Sequence, residues 1–245
     1  MGTTSPTIGS NTISDSGDIT MASGATSTHT SGTVTILGYS NAADWTGPGT
    51  FTAYNLTIGN GSAMTVDNET SDLPLDVNNT FTTSAGATFQ ASSTAAFNVG
   101  GNWSNSATAV FTPNSSTVVM DATTGTPTIT SGGDAFNNLS IDNSGTVITW
   151  TIQDALDVNG NLLIDTSNTL DANSGGPYNV NVAGNWTNNG TYTHRNNTTY
   201  LDGAADTTQT VDGNTTFYNL TATTGDRVIK FGAADTFVIA ASGTF

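Results

Sequence analysis

The strongest constraint on this chain is that it copies itself. GNWTNNGTYT at positions 184–193 matches GNWSNSATAV at 101–110, so Trp103 and Trp186 stand in one setting of a long repeat. TAYNLTI (52–58), AFNNLSI (135–141) and TFYNLTA (216–222) share a core of aromatic-x-Asn-Leu-Thr/Ser, and Leu56, Leu139 and Leu220 recur at nearly the same interval as the two Trp. Nineteen positions before each leucine stands Leu37, Met120 or Leu201. A repeat unit of about 82 residues follows. The chain of 245 residues holds about three of them.

Each unit divides further. LDVNNTFTTSAGATF (75–89) resembles FNVGGNWSNSATAVF (97–111), and LDVNGNLLIDTSNTL (156–170) resembles VNVAGNWTNNGTYTH (180–194). Taking Leu56, Val77, Val99, Val119 and Leu139 as equivalent points gives steps of about 20–22 residues. A step of this size is too short for a domain but suits one coil of a parallel β-solenoid. Four such coils would make one long unit, and about 12 coils of 20–21 residues would make the chain. Leu56, Val77, Val99, Val119, Leu139, Val158 and Leu220 are then expected to stack as one inward column. Tandem immunoglobulin-like sandwiches are the competing all-β reading, but nothing in a sandwich demands an internal repeat as short as one coil.

Composition fits the coil. The chain has 49 Thr, 23 Ser, 27 Asn and 27 Gly, with 35% apolar and 9% charged residues. Thr, Val and Ile favour strands, whereas Asn, Gly, Asp and Ser favour corners. A narrow solenoid core needs few apolar side chains per coil, and outward strand positions can be Thr or Ser. No segment carries a helical period, so the class is all-β. Residues 1–32 keep the repeat poorly and read as degenerate first coils or an N-terminal cap. Residues 33–245 read as one continuous solenoid.

Charge and cysteine content exclude several chemistries. Nineteen acids face three bases, Arg195, Arg227 and Lys230, for a formal charge of −16. A nucleic-acid partner requires a basic footprint, and an anionic membrane surface requires the same. The chain has no Cys, hence neither disulfides nor thiolate chemistry. It has no apolar run long enough to span a bilayer as a helix. MGTTSPTIGS lacks the basic and apolar regions of a secretory leader and reads as a boundary.

Repeats of the form GNWxNxGTφ…STVxφDG…φNLT, where φ is an apolar residue, resemble the β-strand repeats of very large bacterial surface proteins. They are similar to the right-handed parallel β-helices of filamentous haemagglutinin and autotransporters. The resemblance covers residues 33–245 well and 1–32 loosely. It implies a right-handed β-helix, a secreted cell-surface location, and a role as a rigid rod in a stalk, filament or adhesin with surface or glycan contacts. It transfers no catalytic motif, and the chain is expected not to be an enzyme.

Other chemistries remain to be weighed. Parallel β-helices also host polysaccharide lyases and hydrolases, which need opposed acids or a strong base. A carbohydrate-binding or carbohydrate-cleaving β-helix is therefore the alternative. Asp154 and Asp157 cluster, but Asp recurs by period as a corner residue would. His29 and His194 do not repeat together, and His194–Arg195 reads as an exposed corner. Asp67, Glu69 and Asp72 form the one candidate metal cluster, with calcium as the ion such oxygens suit; no other cofactor is implied. Thr-x-Thr at 33–35, 128–130 and 191–193 raises an ice-binding face, but equivalent positions read TFTT, WSNS, LLID and WTNN. Sequons at Asn55, Asn102, Asn138, Asn185 and Asn219 follow the repeat and read as ladders of corner asparagines. FVIAASGTF (237–245) is apolar and uncharged, an edge expected to stack end to end on further repeats or another copy.

Overall fold

The computed structural model describes residues 13–15, 19–27, 29–37, 43–69, 72–142, 145–223 and 225–245, and among these all regular structure is β. The chain falls into two compact units, Met1–Ala122 and Thr123–Phe245. Each is a parallel β-solenoid, and between them they hold about nine turns.

In the first unit every coil contributes one strand to each of three sheets. The first sheet contains Ile13–Asp15, Thr33–Ile36, Asn55–Ile58, Phe81–Thr83 and Trp103–Asn105. The second runs from Ile19–Thr20 through Ala43–Thr46, Met64–Asp67 and Ala87–Gln90 to Val110–Thr112. The third runs from Thr26–Ser27 through Thr50–Ala53, Leu75–Val77 and Phe97–Val99 to Thr117–Met120. Strands within 13–32 thus join the stack, while residues 1–12 lie outside the described part of that expected cap.

The second unit repeats the scheme. Its first sheet holds Thr128–Thr130, Ile148–Ile152, Asn168–Asp171 and Thr191–Thr193. The second holds Leu156–Val158, Val180–Val182, Thr198–Leu201 and Asn219–Ala222. The third holds Asn138–Ile141, Leu162–Ile164, Trp186–Asn188, Thr208–Asp212 and Val228–Phe231. Thr215–Phe217 pairs with Phe237–Ile239 in a short sheet of its own.

These sequences make strands because apolar and polar residues alternate with the period of the pleat. Val34, Leu56, Phe81 and Trp103 stack inward, while Thr35, Thr57, Thr82 and Ser104 stack outward beside them. In the second unit Leu139, Leu162, Trp186 and Val211 form the matching inward row. Trp103 and Trp186 therefore each sit two coils beyond the Leu of an Asn-Leu-Thr/Ser strand. All four tryptophans are fully buried, at 1% exposure or less. Around Trp103 the rings of Phe81, Phe97 and Phe111 lie 4.7, 5.5 and 4.9 Å away, the offset and edge-on spacing that aromatic quadrupoles favour.

Two expectations change. The coil step is not uniform: it is shortest from Val180 to Thr199 and longest from Ile19 to Trp45, because corners differ in length. The seven expected core residues also do not form one column. Leu56 belongs to the first unit's first sheet, Val77 and Val99 to its third, and Leu139, Val158 and Leu220 to two sheets of the second unit. Six of the seven are buried, but Val119 is half-buried and faces outward opposite Asn98, with Met120 stacked on Val99 instead. One residue of slip reverses the face.

Corners are built by residues that tolerate left-handed backbone. Asn114, Ser167, Asn173, Asn196, Asp206 and Asp226 all have φ between 49° and 69°. Asparagine side chains tie coil to coil there. Asn138 Oδ1 accepts from Asn161 N–H at 2.8 Å, Asn161 Oδ1 from Asn185 N–H at 2.8 Å, and Asn185 Oδ1 from Thr210 N–H at 2.8 Å. In the first unit Asn55 Oδ1 accepts from Asn79 Nδ2 at 2.8 Å and Thr80 N–H at 3.1 Å. The amide of each sequon asparagine in these ladders thus has a structural partner.

Candidate functional site

A concavity lies on the second unit, where the strand Thr191–Thr193 turns its corner. It is an open groove of about 500 Å³ with Tyr192 beneath it, and His194, Arg195 and Asn196 along one wall. Ser174 and Thr216 bring hydroxyls from the coils on either side.

The corner is set by a pair of consecutive left-handed residues, Arg195 at φ 47° and Asn196 at φ 65°. Arginine seldom takes this conformation unaided. Its guanidinium is held by the coil before: Nη2 donates to Asp171 Oδ2 at 2.7 Å, and Nε to Asp171 Oδ1 at 3.0 Å. Asp171 also accepts from Asn173 N–H at 2.8 Å. The Arg195 hydrogen bonds hold the Asp171 carboxyl below its ordinary range, against the opposing effect of burial. Two-pronged contact fixes the guanidinium plane and leaves Nη1 outside the pair.

His194 stacks on Tyr218, with ring centroids 5.8 Å apart, and its Nδ1 accepts from Asn196 N–H at 3.1 Å. Burial, and then the Arg195 charge, lowers its pKa below the ordinary value. The neutral ring therefore carries its proton on Nε2. Tyr192 is closed in: its hydroxyl meets Asn197 Nδ2 at 2.6 Å and Thr199 Oγ1 at 3.1 Å, and burial pushes its pKa up to about 12. It serves as floor, braced by Trp186 at 4.9 Å, and not as an acid. The groove lining thus offers hydrogen-bond donors and hydroxyls, and the charge of Arg195 is met by Asp171 from outside that lining. That set suits a hydroxyl-rich, uncharged ligand.

The other sequence-derived candidates are placed differently. Asp67 Oδ1 accepts from Glu69 N–H at 2.8 Å, while Asp72, at φ 55°, takes the Ser92 hydroxyl on the next coil. Among the described residues no group of three or more carboxylate or histidine side chains is arranged to hold a metal ion. Asp154 caps a corner, accepting from Ser131 N–H and Gly132 N–H at 2.8 and 2.7 Å. Asp157 faces outward, its pKa raised by burial and then by Asp202. His29 is a core residue, 3% exposed and 6.0 Å from the Phe51 ring. The bases do not gather: Arg227 Nη1 donates to Gly203 O, and Lys230 lies opposite Thr210.

Two pairings escape a residue-by-residue reading. Asp171 meets Arg195, and Asp142 meets Asp165, each across about one coil step. Burial and the Asp165 charge raise the Asp142 pKa. Searching for charged residues at the coil period is the signal that would have found both. Comparison with protein-family models, with curated proteins and with solved structures finds no match to this chain.

Proposed function

We propose that this chain is a structural segment of a secreted cell-surface stalk, filament or adhesin. It acts mechanically, as a stack of coils in which each coil braces the next. The observation that carries this reading is the doubled ladder. Parallel backbone pairing joins coil to coil, and side-chain bonds such as Asn138–Asn161–Asn185–Thr210 run alongside at the corners. Pulling such a stack apart means breaking many bonds per coil at once. In the finer form of this proposal the helix is right-handed. Its coils are grouped by a sequence repeat of about 82 residues, as in the bacterial β-strand-repeat proteins it resembles. Further repeats or another copy stack against the strands Val228–Phe231 and Phe237–Ile239. There the inward Ile229, Phe231, Phe237 and Ile239 are only half-buried.

Surface labelling tests location and role together. An antibody against the folded chain should stain intact source cells, and cells lacking the gene should lose adhesion or a visible surface layer. Staining that requires lysis would refute the reading. Stacking is tested by sedimentation: association that rises with concentration and is lost in Ile239→Lys is expected, and a monomer at every concentration counts against it.

A second reading, carbohydrate binding, is favoured by one observation, the donor- and hydroxyl-lined groove at His194 and Arg195. A glycan array should give a neutral-sugar signal that Arg195→Ala weakens. A signal unchanged by that substitution would place any binding elsewhere.

A further inference from the structure

The chain contains three Asn-Gly pairs, Asn60-Gly61, Asn159-Gly160 and Asn189-Gly190. Asn-Gly is the dipeptide in which the following backbone nitrogen reaches the side-chain carbonyl carbon with least hindrance, because glycine has no Cβ. The fold treats the three corners differently. Gly160 N–H donates to Asn137 O at 2.6 Å. Gly190 N–H donates to Ile164 O at 3.2 Å, and the corner is so tight that a Cβ on Gly190 would lie 2.4 Å from Asn168 O. In both, the nitrogen is committed to coil-to-coil bonding. To react it must first leave the ladder, which requires local opening.

The Asn60 corner lacks this protection. Asn60, Gly61 and Ser62 are all exposed, and Gly61 N–H has no hydrogen-bond partner among the described residues. Space is open around Gly61, where an added Cβ would meet nothing within 4 Å. Ser62 N–H donates to Asn60 Oδ1 at 3.2 Å. That bond folds the side chain back over its own following peptide, as an Asx turn does. It also polarises the Cγ=O bond and would stabilise the oxygen as negative charge gathers on it.

We propose that Asn60 is a site of spontaneous deamidation, while Asn159 and Asn189 are shielded by the ladder. Gly61 N gives up its proton to solvent base and bonds to Asn60 Cγ. The Cγ–Nδ2 bond then breaks, and ammonia leaves carrying a proton returned by solvent. Water opens the resulting succinimide at either carbonyl, giving aspartyl or isoaspartyl. Water enters and ammonia departs, with no change of oxidation state. The product adds one negative charge to the corner between Asn55–Ile58 and Met64–Asp67. The isoaspartyl form also lengthens the backbone there by one methylene.

The test is to age the full chain in mildly alkaline buffer, folded and in parallel in urea, and to map peptides by mass spectrometry. In the folded sample Asn60 should convert at least roughly tenfold faster than Asn159 or Asn189, a barrier difference of about 1.4 kcal/mol. In urea the three rates should converge. Comparable rates at all three sites in the folded chain would overturn the proposal. So would an Asn60 that slows on folding as much as the others. Asn60→Gln supplies an independent check: the acidic isoform seen on isoelectric focusing of the aged parent should vanish, and its persistence would overturn the assignment.

Discussion

Replacing Leu139 by Asp puts the coil register to a quantitative test. Leu139 is 1% exposed and stacks on Leu162, which stacks on Trp186. The substitution removes about 2 kcal/mol of apolar burial. It also places a carboxyl in that inward row, where burial raises a pKa by up to roughly 3–5 units. At about 1.4 kcal/mol per unit, the total is on the order of 6–9 kcal/mol, against ~5–15 kcal/mol for a whole ordinary domain. Since a coil leans chiefly on its neighbours, the loss should show as local unfolding within the second unit. The sign with pH is fixed. The folded pKa lies above the unfolded value, so the folded state holds more protons and the destabilisation is complete above the folded pKa. It fades as pH falls toward the unfolded value near ~3.9. Val119→Asp is the control: its side chain is half-buried and outward, and should cost less than about 1 kcal/mol. Urea melts followed by circular dichroism at neutral and acidic pH measure both. A Leu139→Asp variant that melts like the parent, or a larger loss in Val119→Asp, would refute the register.

The corner ladder makes a smaller prediction. Asn161→Ala removes the acceptor for Asn185 N–H and should cost about 0.5–1.5 kcal/mol, with faster hydrogen exchange at the Asn185 amide. Gly184→Ala should be worse, by roughly 1–3 kcal/mol in thermal unfolding, because a Cβ there would lie 2.3 Å from the Gly160 carbonyl carbon and oxygen. Arg195→Gln should raise the Asp171 pKa, read by carboxyl NMR titration. Asp171 is depressed in the parent, so its contribution is present above the ordinary carboxylate range and lost as pH falls through its folded pKa. An Asp171 titration indifferent to Arg195 would show that the pairing does not persist in solution.

The coil was legible because its rules are local. Alternation in TVTI, NLTI and LDV marks strands one by one, and Asn, Gly and Asp mark the corners between them. Register over longer distances was not legible, since corner lengths vary. TVVM shows the difficulty: two adjacent valines offer two choices of inward residue, and only pairing with Phe97 and Val99 selects Val118 and Met120. The groove was less visible still. Ser174, Arg195 and Thr216 come from three successive coils, and none stands out as a functional residue in its own segment. Asp67, Glu69 and Asp72 made the opposite impression, crowded in sequence yet engaged in separate local bonds.

The mismatch between repeat and coil bears on function. Leu139 of AFNNLSI and Leu220 of TFYNLTA stand in matching segments eleven strands apart, yet they lie in different sheets of the second unit. A coil of three strands does not divide eleven, so equivalent residues move to another face at the next repeat. Inward positions are indifferent to this, because every face asks for an apolar residue at alternate positions. Corners are equally indifferent, because each needs the same turn chemistry. Outward rows are less constant: the first unit keeps Thr35, Thr57, Thr82 and Ser104 in line on its first sheet, whereas the second unit does not keep such a row. On the first sheet of the second unit Thr-Trp-Thr (149–151) is followed by Thr-Leu-Asp (169–171) and then Thr-Tyr-Thr (191–193). The Asp that interrupts the threonine row is Asp171, already bound to Arg195. An ice-binding face depends on the unbroken row, whereas a scaffold depends on the core and the corners. Core and corners recur in both units, whereas the outward threonine row of the first unit is broken by Asp171 in the second, a break that the proposed mechanical role tolerates because it rests on core and corners.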